Sequence, residues 1–348
     1  MNIKNRKNIV IKIGTSSITR DNKINNDVIN SLAKVISEFQ DIYTFTIVTS
    51  GAVGLGANIL NYDTRPSNLK KLQVASSVGQ IELVNEYKSE FRKYGLNVAQ
   101  LLLTKNLIDN REQFVNTTQA LNQILAENIV PVINENDVVA TEELKYGDND
   151  RLSAIVSIIL NAKKLILITN QDGLFEFDPN KRKDAKKIDY IEFNSDKLND
   201  LIPVSSSGDG VGGFSTKIMA SQMAGYSGVQ TQIISWSEAN LRDAINDNQV
   251  GTLIKESDKK IKLKKLWIVY GMKEASIVDI DKGAYDALHR NSSLLSKGVI
   301  KYTESFSEGE GLAVRFENNI FAKGIAKCSN DNIKDSSVLI HIDDLIIL

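Results

Sequence analysis

Apolar segments of strand length alternate with segments of helical spacing along most of the chain up to residue 255. The strand-like segments are NIVIKIG, TFTIVTS, NVAQLLLT, IVPVIN, KLILIT and QTQIIS. The helical segments between them are DVINSLAKVISEFQ, the stretches around 69–94 and 113–127, RLSAIVSIILNA and STKIMASQMAGYSG. Strands that are apolar almost throughout must be covered on both faces. The pattern therefore predicts an α/β fold in which an open, mainly parallel sheet is sandwiched by helices.

A charged segment, KESDKKIKLKK, ends this alternation. It is followed by short strand-like segments with turn signals, of which LWIVYG at 266–271 is the first. The 348 residues exceed the size at which a single hydrophobic core usually keeps growing. We therefore predict an α/β domain over 1–255, a charged linker over 256–265 and a small β-rich domain over 266–348.

Histidine and cysteine are nearly absent, with only His289, His341 and Cys328 in the whole chain. The part before residue 285 therefore has neither residue type. This excludes a Ser-His-Asp or Cys-His nucleophile, a histidine general base and a His/Cys zinc site from that part. Chemistry there must use lysines, carboxylates, amides, hydroxyls, backbone N–H groups or a hard cation.

The net charge of -1 gives no overall electrostatic argument for nucleic-acid binding. No apolar run approaches the ~18 residues of a membrane span, and the amino terminus lacks the apolar region of a signal peptide. We therefore expect a cytoplasmic protein without a membrane partner.

Polar loops that carry glycine or acidic residues follow four of the predicted strands, at the end of a parallel sheet where ligands bind. These loops are KIGTSS, TSGAVGLG, NENDVVAT with GDND, and TNQDGLF. The backbone N–H groups of TSGAVGLG can face an anion, although a tight strand-to-helix turn needs glycine for its geometry alone.

A stronger anion signal lies in SGDGVGGFSTK, residues 207–217. This glycine-rich segment runs into a predicted helix that carries Lys217 in its first turns. It is not a Walker A motif, because the lysine follows Ser-Thr instead of preceding it. A helix N-terminus and a cation together favour a phosphate, whereas the simpler alternative is a surface loop with a solvated lysine.

Lys12 interrupts the apolar first strand, and burying a lysine costs free energy unless it is paired. Its position just before the KIGTSS turn directs the ammonium group toward the same loops; the alternative is an exposed lysine on an edge strand. Asp137, Asp148 and Asp150 could each cap a helix or turn. Together with neighbouring asparagines they form an acceptor-rich pocket that suits a ligand ammonium group or Mg²⁺ and repels a phosphorylated acceptor.

Six motifs resemble the glutamate 5-kinase family of the amino-acid kinase fold. In chain order they are VIKIGTSSIT, IVTSGAVGLG, PVINENDVVAT, GDND.LSA, GLF..DP and GVGGFSTK. Residues 279–299 resemble the PUA domain that many of these kinases carry. The resemblance implies transfer of the γ-phosphoryl group of ATP to the side-chain carboxylate of L-glutamate, the first step of proline synthesis. A carboxylate with a free pKa of ~4.3 is ionised at pH 7, so its attack needs no general base.

The resemblance also implies the site residues. Lys12 and Lys217 would stabilise the transferring phosphoryl group, and Asp150 would hold both lysines. Glutamate would be bound by Ser50, Gly51, Ala52, Asn134, Asp137, Asp148 and Asn149. ATP would be contacted by Lys12, Thr169, Asn170, Val211, Gly212, Gly213, Phe214, Ser215, Thr216 and Lys217. Mg²⁺ would bridge the phosphates through ATP oxygens and water, without a set of protein ligands.

The chain departs from the family pattern at three places. Asn170 stands where the family usually has aspartate, and Ser296 replaces a usual proline. The PUA region is shortened between Asn330 and Val338, so we do not carry over an RNA-binding role. The family further implies feedback inhibition by proline and delivery of the product to glutamate-5-semialdehyde dehydrogenase, and we expect a homo-oligomer.

Other functions remain open from sequence alone. An aspartate or acetylglutamate kinase would use the same fold, although an aspartokinase would have KFGGTS near the start. A uridylate kinase would need a basic acceptor site. From another class, the chain could be an RNA-binding or regulatory protein on an inactive kinase scaffold; the presence of Lys12, Lys217 and Asp150 argues against it.

Overall fold

The computed structural model describes residues 6–20, 23–104, 107, 111–139, 148–177, 182, 184–193, 212–258, 260–261, 263–270, 272, 274–333 and 337–348. The chain divides into two compact units, Met1–Lys260 and Ile261–Leu348. This division falls inside the segment 256–265 interpreted as a linker, and we propose that the domain boundary lies there. Within the described ranges, no helix is both long enough and apolar enough to cross a membrane.

The first unit alternates strands with helices, as the apolar pattern predicts. Its strands are β1 (Lys7–Ile13), β2 (Thr19–Arg20), β3 (Lys23–Ile24), β4 (Tyr43–Val48), β5 (Asn97–Leu103), β6 (Ile129–Glu135), β7 (Lys164–Thr169), β8 (Leu174–Phe175), β9 (Lys187–Ile188), β10 (Tyr190–Ile191), β11 (Gln230–Ser235) and β12 (Thr252–Ile254). Its helices are α1 (Thr15–Ile18), α2 (Asn26–Phe39), α3 (Ala52–Ile59), α4 (Leu69–Arg92), α5 (Arg111–Ala126), α6 (Asp148–Ile159), α7 (Gly212–Tyr226) and α8 (Glu238–Ile245).

Eight of these strands form one sheet in the order β10-β12-β11-β7-β1-β4-β6-β5. β12 runs antiparallel to β11, while β1 pairs in parallel with β4 on one side and β7 on the other. The predicted open, mainly parallel sheet is therefore confirmed. Because β1 lies in the interior of the sheet, the alternative of an edge-strand lysine at position 12 is wrong.

The two faces of β1 have different partners because successive side chains of a strand point to opposite faces. Ile9, Ile11 and Ile13 are buried in a core with residues of α2, α4 and α8. The alternate residues, including Lys12, face the other side, where α6 packs against β1 and α7 packs against α6. The one charged side chain in this stretch of β1 thus points toward the helices that carry Asp150 and Lys217.

Helices α3 and α4 approach each other closely at two glycines. A Cβ atom on Gly56 would lie 1.7 Å from the Ala75 carbonyl oxygen, and one on Gly79 would lie 1.9 Å from the Ala52 carbonyl oxygen. Real side chains do not tolerate such distances, so glycine at both positions sets the spacing of the two helices.

We expect Gly79→Ala to lower the free energy of unfolding by at least about 1–3 kcal/mol, because the added methyl group must push α3 and α4 apart. Urea unfolding followed by circular dichroism measures this. Gly54→Ala on α3 is the matched control, because a Cβ atom there meets nothing within 4 Å. Equal stability of the Gly79 variant and the wild type would contradict the close approach.

The second unit is β-rich, as predicted. Its strands are β13 (Glu274–Ile280), β14 (Leu294–Leu295), β15 (Val299–Tyr302), β16 (Gly311–Phe316), β17 (Asn319–Ala326) and β18 (Val338–Ile347), in the sheet order β14-β18-β17-β16-β13-β15. Two helices accompany the sheet, α9 (Leu263–Tyr270) and α10 (Lys282–His289). Asp344 on β18 is buried and forms ion pairs with Lys264 and, at 2.6 Å, with Lys327.

The prediction of a strand at LWIVYG is wrong, because residues 263–270 form α9. A short run of consecutive apolar residues has no period that separates a buried strand from a buried helix. Leu266 and Ile268 are both buried, and α9 packs on β17 and β18. Tertiary packing therefore decides the conformation of this segment.

Candidate active site

The carboxyl ends of β1, β4 and β6 lie side by side. Lys12 pairs in register with Val48, and Val48 pairs with Ile133. The backbone N–H of Thr49, just after β4, donates to the Ile133 carbonyl at 2.9 Å. Gly51 then adopts φ +107°, a left-handed conformation that favours glycine and lets the chain turn into α3. The polar loops that follow these strands are thereby brought to one edge of the sheet.

Two lysines meet one buried aspartate at this edge. Asp150 Oδ1 lies 2.7 Å from Lys12 Nζ, and Asp150 Oδ2 lies 3.2 Å from Lys217 Nζ. The Thr216 hydroxyl donates to Asp150 Oδ2 at 2.8 Å. We call Lys12, Asp150, Thr216 and Lys217 the lysine–aspartate cluster. It joins β1, α6 and α7, which come from three distant parts of the chain.

The lysine–aspartate cluster is charged although it is buried. Asp150 has no exposed surface, and Lys12 is only 6% exposed. Burial by itself would raise the pKa of Asp150, but the ammonium groups of Lys12 and Lys217 outweigh it and hold that pKa below its usual range. Burial lowers the pKa of Lys217, and the nearby charge of Lys12 acts in the same direction. With one carboxylate between two ammonium groups, the cluster carries a net positive charge that suits a phosphoryl group.

A second group of polar side chains lies next to the cluster. Asn149 Nδ2 donates to the Thr49 carbonyl at 2.7 Å, to Ser50 Oγ at 2.8 Å and to Asn134 Oδ1 at 3.0 Å. Asn134 Nδ2 in turn donates to Gln80 Oε1 at 2.8 Å. We call Asn149, Asn134 and Gln80 the amide relay. It connects β6, α6 and α4 and lies beside Ser50, where the sequence predicts an acceptor-rich pocket.

Asp137 supplies a carboxylate near the amide relay. It is largely buried and accepts a hydrogen bond from the Ser76 hydroxyl on α4. Ser76 lies one helical turn before Gln80, so Asp137 and the amide relay approach the same face of α4. Amides and a carboxylate at one site are acceptors for an ammonium group, which agrees in chemistry with an amino-acid pocket.

Apart from Lys12 on β1 and Val211, which lies outside the described residues, the residues predicted to contact ATP lie at the end of β7 and at the start of α7. The Thr169 hydroxyl donates to Asn170 Oδ1 at 3.2 Å, and Phe214 to Lys217 lie in the first turns of α7. A helix N-terminus and the charge of Lys217 both favour an anion. Thr216, predicted as an ATP contact, donates to Asp150 and so also belongs to the lysine–aspartate cluster.

The remaining predicted residues, apart from Val211, lie at the starts of α3, α6 and α7. Val211 lies outside the described residues, as does the side chain of Asp148, whose backbone begins α6. Gly212 and Gly213 are described only as the first residues of α7. Gly51 and Ala52 follow Ser50 at the start of α3. The structure therefore brings Lys12, Asp150, Thr216 and Lys217 together in one group, and Ser50, Asn134 and Asn149 in another.

A Mg²⁺ ion would find few protein ligands here. Both carboxylate oxygens of Asp150 are already paired with lysines. Across the parts of the chain that the structure describes, no three His, Cys, Asp or Glu side chains are grouped so as to hold a metal. The donor set fits an ion that arrives with nucleotide phosphates and keeps its water ligands, which is the usual behaviour of Mg²⁺.

Three supporting residues on α4 were not predicted from the sequence. Ser76 and Gln80 contact Asp137 and Asn134, and the Tyr87 hydroxyl donates to Thr49 Oγ1 at 3.0 Å. A signal for all three was present, because Leu72, Ser76, Gln80, Leu83 and Tyr87 recur at helical spacing and all are buried. Two polar residues within the apolar stripe of a helix indicate that the stripe faces a polar site.

Comparison with known proteins identifies the family of this chain. Residues 7–235 match the model of the amino acid kinase family, and residues 277–340 match the PUA domain. Glutamate 5-kinase of Prochlorococcus marinus (strain MIT 9312) is 38% identical over 337 residues, which cover 94% of this chain and 93% of that protein. Glutamate 5-kinase of Haemophilus influenzae (strain PittGG) is 35% identical over 367 aligned residues, which cover 99% and 100%.

Solved structures share the fold at low sequence identity. Carbamate kinase from Giardia lamblia bound to AMP-PNP has a TM-score of 0.53 at 13% identity and covers 73% of this chain and 99% of its own. Isopentenyl phosphate kinase of T. acidophilum has a TM-score of 0.51 at 16% identity and covers 71% and 99%. By its matching family models and its similarity over nearly the full length, the chain belongs to the amino acid kinase family, among the glutamate 5-kinases that carry a PUA domain.

Proposed function

We propose that this chain transfers the γ-phosphoryl group of ATP to the side-chain carboxylate of L-glutamate and forms L-glutamyl 5-phosphate, the first step of proline biosynthesis. The observation that carries the proposal is the lysine–aspartate cluster, buried beside a pocket of amides and a carboxylate. The cluster suits phosphoryl transfer, and the pocket suits an amino-acid acceptor. Relatives named glutamate 5-kinase match nearly the whole chain.

The reaction needs positioning and charge neutralisation. An oxygen of the ionised glutamate carboxylate forms a bond to the γ-phosphorus, and the bond from that phosphorus to the bridging oxygen of ATP breaks, which releases ADP. Asp150 does not act as a base, because both of its oxygens are engaged by lysines and the acceptor is already ionised. Lys12 and Lys217 stabilise the negative charge on the transferring group and the leaving phosphate.

The remaining predicted residues divide between the two substrates. Ser50, Gly51 and Ala52 at the start of α3 line the acceptor side with Asp137 and the amides Asn134 and Asn149. Thr169, Asn170 and the segment 211–217 contact ATP. Mg²⁺ bound with the nucleotide would supply further charge neutralisation. We also retain Asp148 as a substrate contact.

The proposal extends to the setting of the enzyme. We propose that it acts in the cytoplasm as a homo-oligomer, that proline inhibits it and that glutamate-5-semialdehyde dehydrogenase consumes its product. These statements rest on the family resemblance and on no individual contact in the structure.

A hydroxamate assay tests the proposed activity. With ATP, Mg²⁺, L-glutamate and hydroxylamine, the purified chain should form γ-glutamyl hydroxamate, because hydroxylamine captures the acyl phosphate. Aspartate in place of glutamate is the matched control and should give far less product. Absence of a glutamate-dependent product, or an equal rate with aspartate, would overturn the assignment.

A further inference from the structure

The orientation of every amide in the amide relay follows from groups that can act in one way only. The Thr49 carbonyl can only accept, so the Asn149 atom that lies 2.7 Å from it must be the Nδ2 donor. The backbone N–H of Glu135 can only donate, so the Asn134 atom at 2.9 Å must be the Oδ1 acceptor. Two backbone groups therefore fix both asparagines independently, without any assumption about a ligand.

These orientations determine the orientation of Gln80. Asn134 Oδ1 already receives Asn149 Nδ2 and the N–H of Glu135, so Asn134 presents Nδ2 to Gln80. The Gln80 atom that lies 2.8 Å from Asn134 Nδ2 must therefore be the acceptor Oε1. Gln80 Nε2, with its two N–H groups, is therefore turned away from Asn134.

The amide relay thus ends in two polar atoms with opposite roles. Gln80 Nε2 and Asn149 Oδ1 are both buried and have no hydrogen-bond partner among the described residues. Gln80 as a whole is 7% exposed. Leaving a buried amide donor or acceptor unpaired costs free energy, and nearly all such groups in folded proteins are paired. One donor at one end and one acceptor at the other form a complementary set for a ligand that carries both an anion and a cation.

The rest of the pocket explains why a donor is needed. Asp137, held by Ser76 on the same face of α4, and Asn149 Oδ1 present acceptors, which attract an ammonium group and repel a carboxylate. The α-carboxylate of an amino acid needs N–H or O–H donors. Gln80 Nε2 is a buried donor on α4 that has no hydrogen-bond partner among the described residues.

We propose that Gln80 is a substrate-binding residue that recognises the α-carboxylate of the acceptor amino acid through Nε2, while Asn149 Oδ1 receives its α-ammonium group. The inference rests on the proposed function. It adds a specificity determinant on α4 to the loop residues assigned from sequence. Gln80 selects an acceptor that has an α-carboxylate and takes no part in the phosphoryl transfer itself.

The variant Gln80→Glu separates the role of Oε1, which accepts from Asn134, from the role of Nε2. A glutamate still offers an oxygen to Asn134 Nδ2, but it replaces the free N–H groups with a carboxylate oxygen. We expect the KM for glutamate to rise about 10- to 100-fold, the scale of losing a hydrogen bond to a charged group. The KM for ATP should stay within about threefold, because only the acceptor pocket changes.

Substrate analogues identify the group that Gln80 contacts. γ-Aminobutyrate is glutamate without its α-carboxylate, and its Ki as a competitor of glutamate reports binding whether or not it is phosphorylated. We expect this Ki to change less than about threefold between wild type and Gln80→Glu, since the lost contact is absent from the analogue. Glutarate differs from glutamate only in lacking the ammonium group. Gln80→Glu should therefore weaken the binding of glutarate as strongly as it weakens the binding of glutamate.

Two further variants keep the test decisive. Ser77→Glu places the same charge on an exposed position of α4 and should leave both KM values and the Ki values of both analogues unchanged. If Gln80→Glu does not fold, Gln80→Met, which has similar length and no charge, should show the same contrast between glutamate and γ-aminobutyrate. Equal weakening of both ligands, or of neither, would overturn the proposal. A wild type that forms no glutamyl hydroxamate would overturn the proposed function instead, so the two failures are distinguishable.

Discussion

Lys217→Ala is expected to lower kcat by roughly 10²-fold or more, the scale of losing one charge stabiliser from a phosphoryl-transfer site. Lys217 Nζ lies 3.2 Å from Asp150, and its side chain is 15% exposed, so the ammonium group is held at the edge of the cluster where a substrate can reach it. The KM for glutamate should change little, because the residues assigned to the acceptor lie on or next to α3, α4, α6 and β6, whereas Lys217 lies on α7. Steady-state kinetics with both substrates varied measures the two constants separately.

Matched variants distinguish charge from bulk at this position. Lys217→Arg keeps the positive charge in a different shape and should retain more activity than the alanine variant. Lys88→Ala removes an exposed lysine from α4 and should leave kcat unchanged. Near-normal turnover by Lys217→Ala would remove Lys217 from the set of catalytic residues.

Asp150→Asn is expected to have the largest effect on stability. The substitution keeps the shape of the side chain but removes the negative charge between Lys12 and Lys217. Removing one partner from a buried ion pair typically costs about 3–5 kcal/mol, because the remaining charges stay buried without compensation. Urea unfolding at neutral pH measures the difference. Adding Lys12→Met to Asp150→Asn removes one of the uncompensated charges and should recover part of the lost stability.

The stability effect of Asp150 should depend on pH in one direction. Its pKa is lower in the folded chain than in the unfolded chain, so its ionisation stabilises the fold above about pH 4. That contribution is lost as the pH falls through the lower, folded-state pKa. The stability difference between wild type and Asp150→Asn should therefore shrink in strong acid. A difference that stays constant down to the acid unfolding transition would show that the carboxylate charge is not what stabilises the cluster.

Much of the first unit could be predicted because its signals are local. Apolar runs such as Leu165 to Ile168 are buried on both faces, so hydrophobicity alone marks the central strands. Glycine and polar residues directly after these strands mark the loops at the carboxyl edge. Lys12 could be singled out because a charge inside an apolar strand requires a partner.

The partners themselves could not be predicted from these local signals. Lys12 and Asp150 are separated by most of the first unit, and their 2.7 Å contact exists only because α6 packs on one face of β1. Resemblance to a known family supplied this pairing in advance. Neither the local signals nor the family resemblance predicted Gln80, since it lies in the middle of a helix and not in a loop. Helix α9 was missed for the opposite reason, because its short apolar run fits a strand equally well.

An aspartate between two lysines recurs elsewhere in the chain. Asp247 lies 2.6 Å from both Lys163 and Lys164, at the amino end of β7, and Asp344 pairs with lysines in the second unit. The same arrangement of one negative and two positive charges therefore holds chain segments together at places where no substrate is expected. Asp150 differs from Asp247 and Asp344 in its position in the fold. It lies at the carboxyl edge of a parallel sheet, beside the N-terminus of α7. A survey of this family for new catalytic centres would do better to rank charge clusters by their place in the sheet than by their composition.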